Sequence, residues 1–325
     1  MKQSGTRGGV VVIGDLNIDA VVYGLSELPR MGTEIIASDF RLTLGGASAI
    51  FACGVAKLGL AVSFVSKVGA DDFGKICLAA LRQAGVPTRR ISRDEKLHTG
   101  VTISLSTRQD RALVTYLGAL AALGPEHLRN ISFRNKKHLH MSSYFLQTRL
   151  QSSFPQLFRD ARKLGLTTSF DPNSDPAHAW KDSIREVFAC TDLLFLNQTE
   201  ALQVTRARSV KEALQALSRE VPCAVIKLGA RGATAIKNGE VSFAPGFSVE
   251  PIDTTGAGDS FAAGFVVSYL RGKSIEDCLN AGNACGALST LQAGGTDGQP
   301  NGQALRRFLN EHRPGNIRLK RRRDS

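Results

Sequence analysis

The chain has 325 residues, 42% hydrophobic and 6% aromatic, with 32 glycines and a formal net charge of +12. That much apolar matter suits one large α/β domain, alone or with a small appendage, and excludes disorder as the state of the chain. No segment approaches the roughly 18 apolar residues that span a membrane, and the apolar run at 10–13 is too short for a secretory leader.

Short β-rich runs alternate with longer helical ones. Residues 10–13 read as a first strand, 47–58 as a helix stopped by Gly59, and 62–65 as a strand. A helix over 73–84 stops at Gly85, a strand covers 138–141, and a helix over 154–164 stops at Gly165. Strands follow at 167–170, 193–196 and 224–227, with helices at 209–218 and 259–270, the second closed by Gly272. Glycine just past a periodic segment is the usual left-handed helix stop. The rhythm predicts a parallel sheet with helices on both faces. Residues 23–44 and 100–116 break it: they alternate in character and predict short antiparallel strands forming a lid over the strand ends, where open α/β sheets bind ligands. There is no internal repeat and no long linker.

Cys53, Cys77, Cys190, Cys223, Cys278 and Cys285 form no C-x-x-C pair and sit in apolar surroundings. They predict reduced, buried thiols in a cytoplasmic protein rather than zinc ligands or disulfides. A basic body fits an anionic ligand, and solubility is the plainer explanation of the same charge. Arg318, Lys320, Arg321, Arg322 and Arg323 gather in a tail, 314–325, without interleaved aromatics. This predicts a solvated end and no nucleic-acid or membrane partner.

The segment with the strongest chemical content is Asp253-Thr254-Thr255-Gly256-Ala257-Gly258-Asp259, placed before an apolar helix. A glycine-rich turn opening a helix points backbone N–H groups one way, and the helix dipole adds partial positive charge there. Gly256 and Gly258 let a phosphate come close. Asp259 is either a first-turn acid favoured by the dipole or a general base beside a transferring phosphoryl group. Gly256-x-Gly258 is not a dinucleotide fingerprint, since its third glycine position holds Phe261. Gly272-Lys273-Ser274 is not a P-loop, since the required earlier glycine is Val267. Ser274 reads instead as the cap of a helix starting at Ile275.

These residues resemble the ribokinase-like, or PfkB, carbohydrate kinases over nearly the whole chain. Gly45-Gly46-Ala47-Ser48-Ala49 is similar to the family's N-terminal di-glycine signature, and Asp253 to Asp259 to its highly specific D-T-x-G-A-G-D signature. The resemblance implies a three-layer α/β/α fold with a mostly parallel central sheet and a small β lid. It implies a single kinase domain over 1–313, with lid strands within 17–45 and 98–118. It also implies transfer of phosphate from ATP, with Mg²⁺, to a hydroxyl of a small sugar such as ribose or fructose. A nucleoside kinase on the same scaffold is the alternative, and a non-catalytic sugar- or nucleotide-binding regulator a more distant one.

The resemblance also implies roles for particular residues. Gly256, Ala257 and Gly258 form the anion hole and Asp259 is the base. Asn17 and Asp19 hold substrate hydroxyls; without the family an Asx turn explains them nearly as well. Gly45 and Gly46 let the backbone approach the sugar. Asn197 and Glu200, an N-x-x-E motif, organise Mg²⁺ and phosphate through water, although a helix start with an early Glu has the same pattern. Lys227, Gly229 and Gly232 form the nucleotide-side loop, and Asn283 lies beside the adenine. Asp253 and Thr255, with the loop Ala293-Gly294-Gly295-Thr296, would hold a monovalent cation such as K⁺. A homodimer through the lid strands fits as well, because small sheets leave unpaired edges.

Two positions depart from the pattern. Ile50 stands where many members have an Asn that helps hold the sugar. In Asp171-Pro172-Asn173-Ser174-Asp175-Pro176, Asp175 stands where sugar-acid kinases often have Arg, which argues against a carboxylated sugar.

Overall fold

The computed structural model describes residues 8–107, 111–129 and 131–312. The first strands in chain order are β1 (Gly9–Ile13), β2 (Asn17–Leu25), β3 (Asp39–Gly45), β4 (Val62–Gly69), β5 (Ile91–Asp94), β6 (Gly100–Thr107) and β7 (Arg111–Tyr116). After them come β8 (Lys136–Ser142), β9 (Thr167–Asp171), β10 (Leu193–Asn197), β11 (Cys223–Lys227), β12 (Ala233–Lys237) and β13 (Glu240–Ala244). The helices are α1 (Ala47–Lys57), α2 (Asp72–Gln83), α3 (Phe154–Lys163), α4 (Ile184–Phe188) and α5 (Gln198–Thr205). They continue with α6 (Val210–Leu217), α7 (Ala257–Leu270), α8 (Ile275–Ser289) and α9 (Gly302–Glu311).

β1 is buried throughout, with Val10 and Val12 in one hydrophobic core and Val11 and Ile13 in the other. A strand apolar on both faces must lie between two helical layers. One core packs Phe51 of α1, Leu81 of α2, Phe265 of α7 and Leu279 of α8 against the sheet. The other packs Phe154 of α3, Val187 of α4, Ala201 of α5 and Ala213 of α6 against the opposite face. The result is the expected three-layer ribokinase-like α/β/α fold.

The main sheet runs β13-β12-β11-β10-β9-β8-β1-β4-β5. Its strands are parallel from β11 to β5. β12 and β13 add an antiparallel hairpin at one edge. The sequence reading omitted this hairpin, although Asn238-Gly239, both with positive φ (51° and 82°), is a strong hairpin signal. From β1 the chain winds toward β4 and β5, and from β8 it winds the other way. The crevice between β1 and β8 is therefore the topological switch point, where ligands bind beyond the carboxyl ends of the strands. The lid is a separate sheet, β3-β2-β6-β7, within the segments expected for it, but its central pair, β2 and β6, is parallel where antiparallel strands were expected. α7 begins at Ala257, two residues before its expected start. The six cysteines are free and buried, and no helix among the described residues is long and apolar enough to cross a membrane. The basic tail lies outside the described residues.

Asp15 ties the switch point together. Gly46, the N-cap of α1, has φ 94° and no side chain to offer. Asp15 caps the helix instead, accepting from Ala47 N–H (2.7 Å) and Ser48 N–H (2.8 Å), and it also accepts the Ser143 hydroxyl (2.8 Å) just past β8. Asp15→Ala strips two helix-end donors and a buried hydroxyl of their acceptor. It should cost about 2–4 kcal/mol, read as a lowered urea midpoint; a loss under about 0.5 kcal/mol would contradict the capping role.

Candidate active site

Six helices, α1, α2, α5, α6, α8 and α9, begin under a side-chain oxygen. α7 does not: its N-cap is Gly256, left-handed at φ 69°. A Cβ there would also lie 2.9 Å from Gly295 Cα and 3.0 Å from Ile50, so both conformation and space demand glycine. Ala257 N–H is turned toward the Thr254 carbonyl at 3.3 Å. The donors left open at this helix end, among the described residues, are the N–H groups of Gly256, Gly258 and Asp259. Gly256, Ala257 and Gly258, the residues expected to form an anion hole, all stand at this helix end.

Beside this helix end stands Lys227, at the carboxyl end of β11. Its Nζ would be 3.2 Å from a Cβ built on Gly258, and it bonds Asp171 at the end of β9 at 2.5 Å. Burial pulls the Lys227 ammonium down, but Asp171, Glu200 and Asp259 together outweigh it and hold the pKa above its usual value. Asp259, on the first turn of α7, has no hydrogen-bond partner for its carboxylate among the described residues. Desolvation first, then the charge of Asp171, push Asp259 up to about 7 against the pull of Lys227. Asp171 carries no predicted role in the sequence, although an acid at the end of a parallel strand is itself a site signal.

The lid supplies the facing wall. Asn17 and Asp19, two apart on β2, share a face, and Asn17 Nδ2 donates to Asp19 Oδ1 at 3.0 Å and to Thr102 Oγ1 at 3.2 Å. Gly45 of β3 pairs with Asn17, and a Cβ there would sit 2.1 Å from Asp19 Oδ1. The bare backbone therefore makes room for the carboxylate. Burial is the main cause that raises Asp19 to about 7, although the Asn17 amide pulls it down.

A cavity of about 480 Å³ opens beside the head of α7. Lys227, Gly229, Gly232, Ala257, Gly258 and Asn283 line it, so the predicted nucleotide-side residues and the anion hole meet in one cleft. Asn283 spends both amide hydrogens on the wall of that cleft, donating to Ala244 O (3.0 Å) and Pro245 O (3.1 Å). Asn197 and Glu200 do not line the cleft. They form a capping box on α5: Glu200 N–H donates to Asn197 Oδ1 (2.9 Å), and Asn197 N–H donates to Glu200 Oε2 (2.8 Å). Glu200 stays close enough to Lys227 and Asp171 to feel both charges, and burial, the larger cause, raises its pKa. No cluster of three or more His, Cys, Asp or Glu side chains set to hold a metal occurs among the described residues.

Three expectations need correcting. Asp175 does not face the site: its carboxylate accepts the N–H groups of Ala177, Ala179 and Trp180 (2.8–2.9 Å) and shapes its own loop. It therefore carries no argument about a sugar acid. Ile50 is buried beneath the Gly256 turn and Gly295, so it packs the anion hole rather than walling a sugar. Asp253 and Thr255 do not fit a K⁺ site. Asp253 Oδ2 accepts the Tyr23 hydroxyl (2.6 Å) and Gly294 N–H (2.9 Å), and Oδ1 accepts Thr255 N–H (2.9 Å). From the lid, Arg111 donates to Thr255 Oγ1 at 3.1 Å. No local signal in the sequence marked Tyr23 or Arg111, since each meets its partner across more than a hundred residues.

Residues 8–302 match the family model described as pfkB family carbohydrate kinase. The chain is 30% identical over 316 residues to a 2-dehydro-3-deoxygluconokinase of Bacillus subtilis, covering 92% of this chain and 97% of that one. It superposes on the Arabidopsis thaliana ribokinase complexed with ribose and ATP with a TM-score of 0.79 at 25% identity, over 93% of this chain and 98% of that one. On the fructokinase of Vibrio cholerae in its fructose-, ADP- and calcium-bound form the TM-score is 0.77 at 26% identity, over 94% and 99% of the two chains.

Proposed function

The chain belongs to the pfkB family of carbohydrate kinases and is an ATP-dependent sugar kinase; we propose that it phosphorylates a neutral sugar with Asp259 as the base. The observation that carries this reading is a carboxylate raised to about 7 on the first turn of an uncapped helix. A general base works best with a pKa near the operating pH. The acceptor sugar docks its hydroxyls on Asn17 and Asp19, where Gly45 and Gly46 leave the backbone bare. Asp259 takes the proton of the reacting hydroxyl. The sugar oxygen bonds the γ-phosphorus as the bond to the β,γ-bridging oxygen breaks, and ADP leaves with that electron pair. The N–H groups at the head of α7 and the Lys227 ammonium meet the charge on the transferring group. Glu200 would be the carboxylate to meet a divalent ion bound with ATP, through water, and such an ion would add to the neutralisation of the phosphates. Asp259 then releases its proton to solvent.

The acceptor wall carries Asp19, with Asp171 and Asp259 near it, and these accept hydroxyl donors and repel a second anion. This favours a neutral pentose or hexose over a sugar acid. An enzyme that draws on ATP and keeps six free cysteines fits the cytoplasm, with no nucleic-acid or membrane partner.

The outer face of the lid supports a homodimer. Strand register puts Leu42, Ala20, Ile103 and Val114 in one row across the four strands, with Phe40, Val22, Leu105 and Ala112 in the next. Phe40, Leu42, Ile103 and Val114 are exposed. A flat apolar face on a sheet with two open edges is suited to a second copy of itself. Sedimentation should find the wild type a dimer at micromolar concentration and Val114→Glu a monomer; a monomeric wild type overturns the dimer.

An ATP-coupled screen over pentoses, hexoses, ketoses, sugar acids and nucleosides should find turnover of a neutral sugar; turnover of a sugar acid alone contradicts the acceptor reading. With that sugar, Asp259→Asn should lower kcat about 10²–10⁴-fold, and near wild-type kcat contradicts the base assignment. Because the base must be ionised, kcat/KM should fall as pH drops through about 7 and level off above it. Asp19, raised into the same range, steepens that limb.

A further inference from the structure

A bound cation needs lone pairs facing it, yet around Asp253 the lone pairs face hydrogens. Each carboxylate oxygen offers two lone pairs. Oδ2 has both taken, by the Tyr23 hydroxyl at 2.6 Å and Gly294 N–H at 2.9 Å. Oδ1 takes Thr255 N–H at 2.9 Å, and the Thr255 hydroxyl adds a further favourable contact. The carbonyl of Thr290, on the facing segment, accepts Ile252 N–H (2.8 Å) and Asp253 N–H (3.2 Å). The segments around 253–256 and 290–294 are thus joined directly through Asp253 and Thr290, by N–H and O–H donors.

One of those donors comes from the lid. Tyr23 shares β2 with Asn17 and Asp19, and by period two all three lie on one face. Tyr23 is four positions along from Asp19, about 13 Å of strand. A second lid strand reaches the same turn, where Arg111 of β7 donates to Thr255 Oγ1. The strand that carries the proposed acceptor contacts therefore also grips the turn whose next residues are Gly256 and Ala257.

We propose that the Tyr23 hydroxyl takes the place of a monovalent cation at Asp253, so that closure of the lid itself fixes the turn that opens the anion hole and no K⁺ is required. The functional side of this inference rests on the kinase reading; the latch itself does not. In the latched state the head of α7 is held by the same strand that holds the acceptor, so the phosphate cradle is complete when the acceptor is enclosed. Wasteful transfer to water is then least favoured with the lid open.

The test uses the full chain, without substrate, as wild type and Tyr23→Phe. Melting is followed in potassium, sodium and choline chloride at matched ionic strength, and hydrogen exchange is followed by segment. Wild type should melt at the same temperature in all three salts. Tyr23→Phe should raise exchange in β2 and in residues 253–256 and 290–294 about tenfold, as expected for one lost hydrogen bond to a charged group. Exchange in β9 and β10 should stay unchanged, which shows that the variant is folded. Saturable stabilisation of the wild type by potassium alone overturns the replacement of the cation. Unchanged exchange in Tyr23→Phe overturns the latch. Neither readout depends on turnover, so failure of the kinase reading would appear separately, as no phosphotransfer in the acceptor screen.

Discussion

The ion pair between Lys227 and Asp171 is the contact on which the electrostatics of the site depend. The parallel sheet gathers acids at its carboxyl ends: Asp171 after β9, with Asp15 after β1, Asp19 on the lid strand that follows, and Asp259 arriving on α7. Like charges brought together this way repel, and burial penalises each of them. Lys227 is the buried cation among them, bonded to one carboxylate and felt by Glu200 and Asp259. Removing it would leave buried anions uncompensated, the costly way to break a buried pair. Its presence sets how far Asp259 rises: desolvation and Asp171 push up, Lys227 pulls down, and the balance falls at about 7. The same ammonium lies against the head of α7, where the transferring phosphoryl group would need positive charge.

A second constraint comes from the helix ends. Most helices of the chain finish their first turn with a side-chain oxygen, and α1 borrows Asp15 from across the switch point. α7 is left open at its head, its turn held from outside by Tyr23 and Arg111 of the lid. An uncapped helix end costs stability, and here the open N–H groups sit beside Lys227 and above a nucleotide-sized cleft. Local instability and anion binding are two results of one choice, glycine at 256.

Much of this was legible in the sequence because it is local. The strands and the glycine stops follow from period and from residue type. The Asp253–Asp259 segment announces a phosphate site through chain geometry alone, and the lid strands showed as alternation inside an α/β rhythm. What failed to show was either locally ambiguous or set by tertiary contact. Asp175 reads as an acid in a binding segment until its loop folds around it, and Asn197–Glu200 carries the same letters as a metal motif and as a capping box. Ile50 reads as a missing amide, and only packing reveals it as the floor beneath Gly256. Tyr23 and Arg111 are ordinary lid residues until the lid meets the turn 230 and 144 positions away. The β12–β13 hairpin is different: its Asn238-Gly239 turn is a purely local signal.

The claim at the centre of this account is that Asp259 is a base tuned by the charges beside it. Carbon-13 NMR of the labelled carboxyl, assigned through Asp259→Asn, reads that directly. The wild-type signal should titrate with a midpoint near 7, and in Lys227→Met the midpoint should move higher, since the one lowering charge is gone. A midpoint in the ordinary Asp range, near 4, in both proteins would contradict the account.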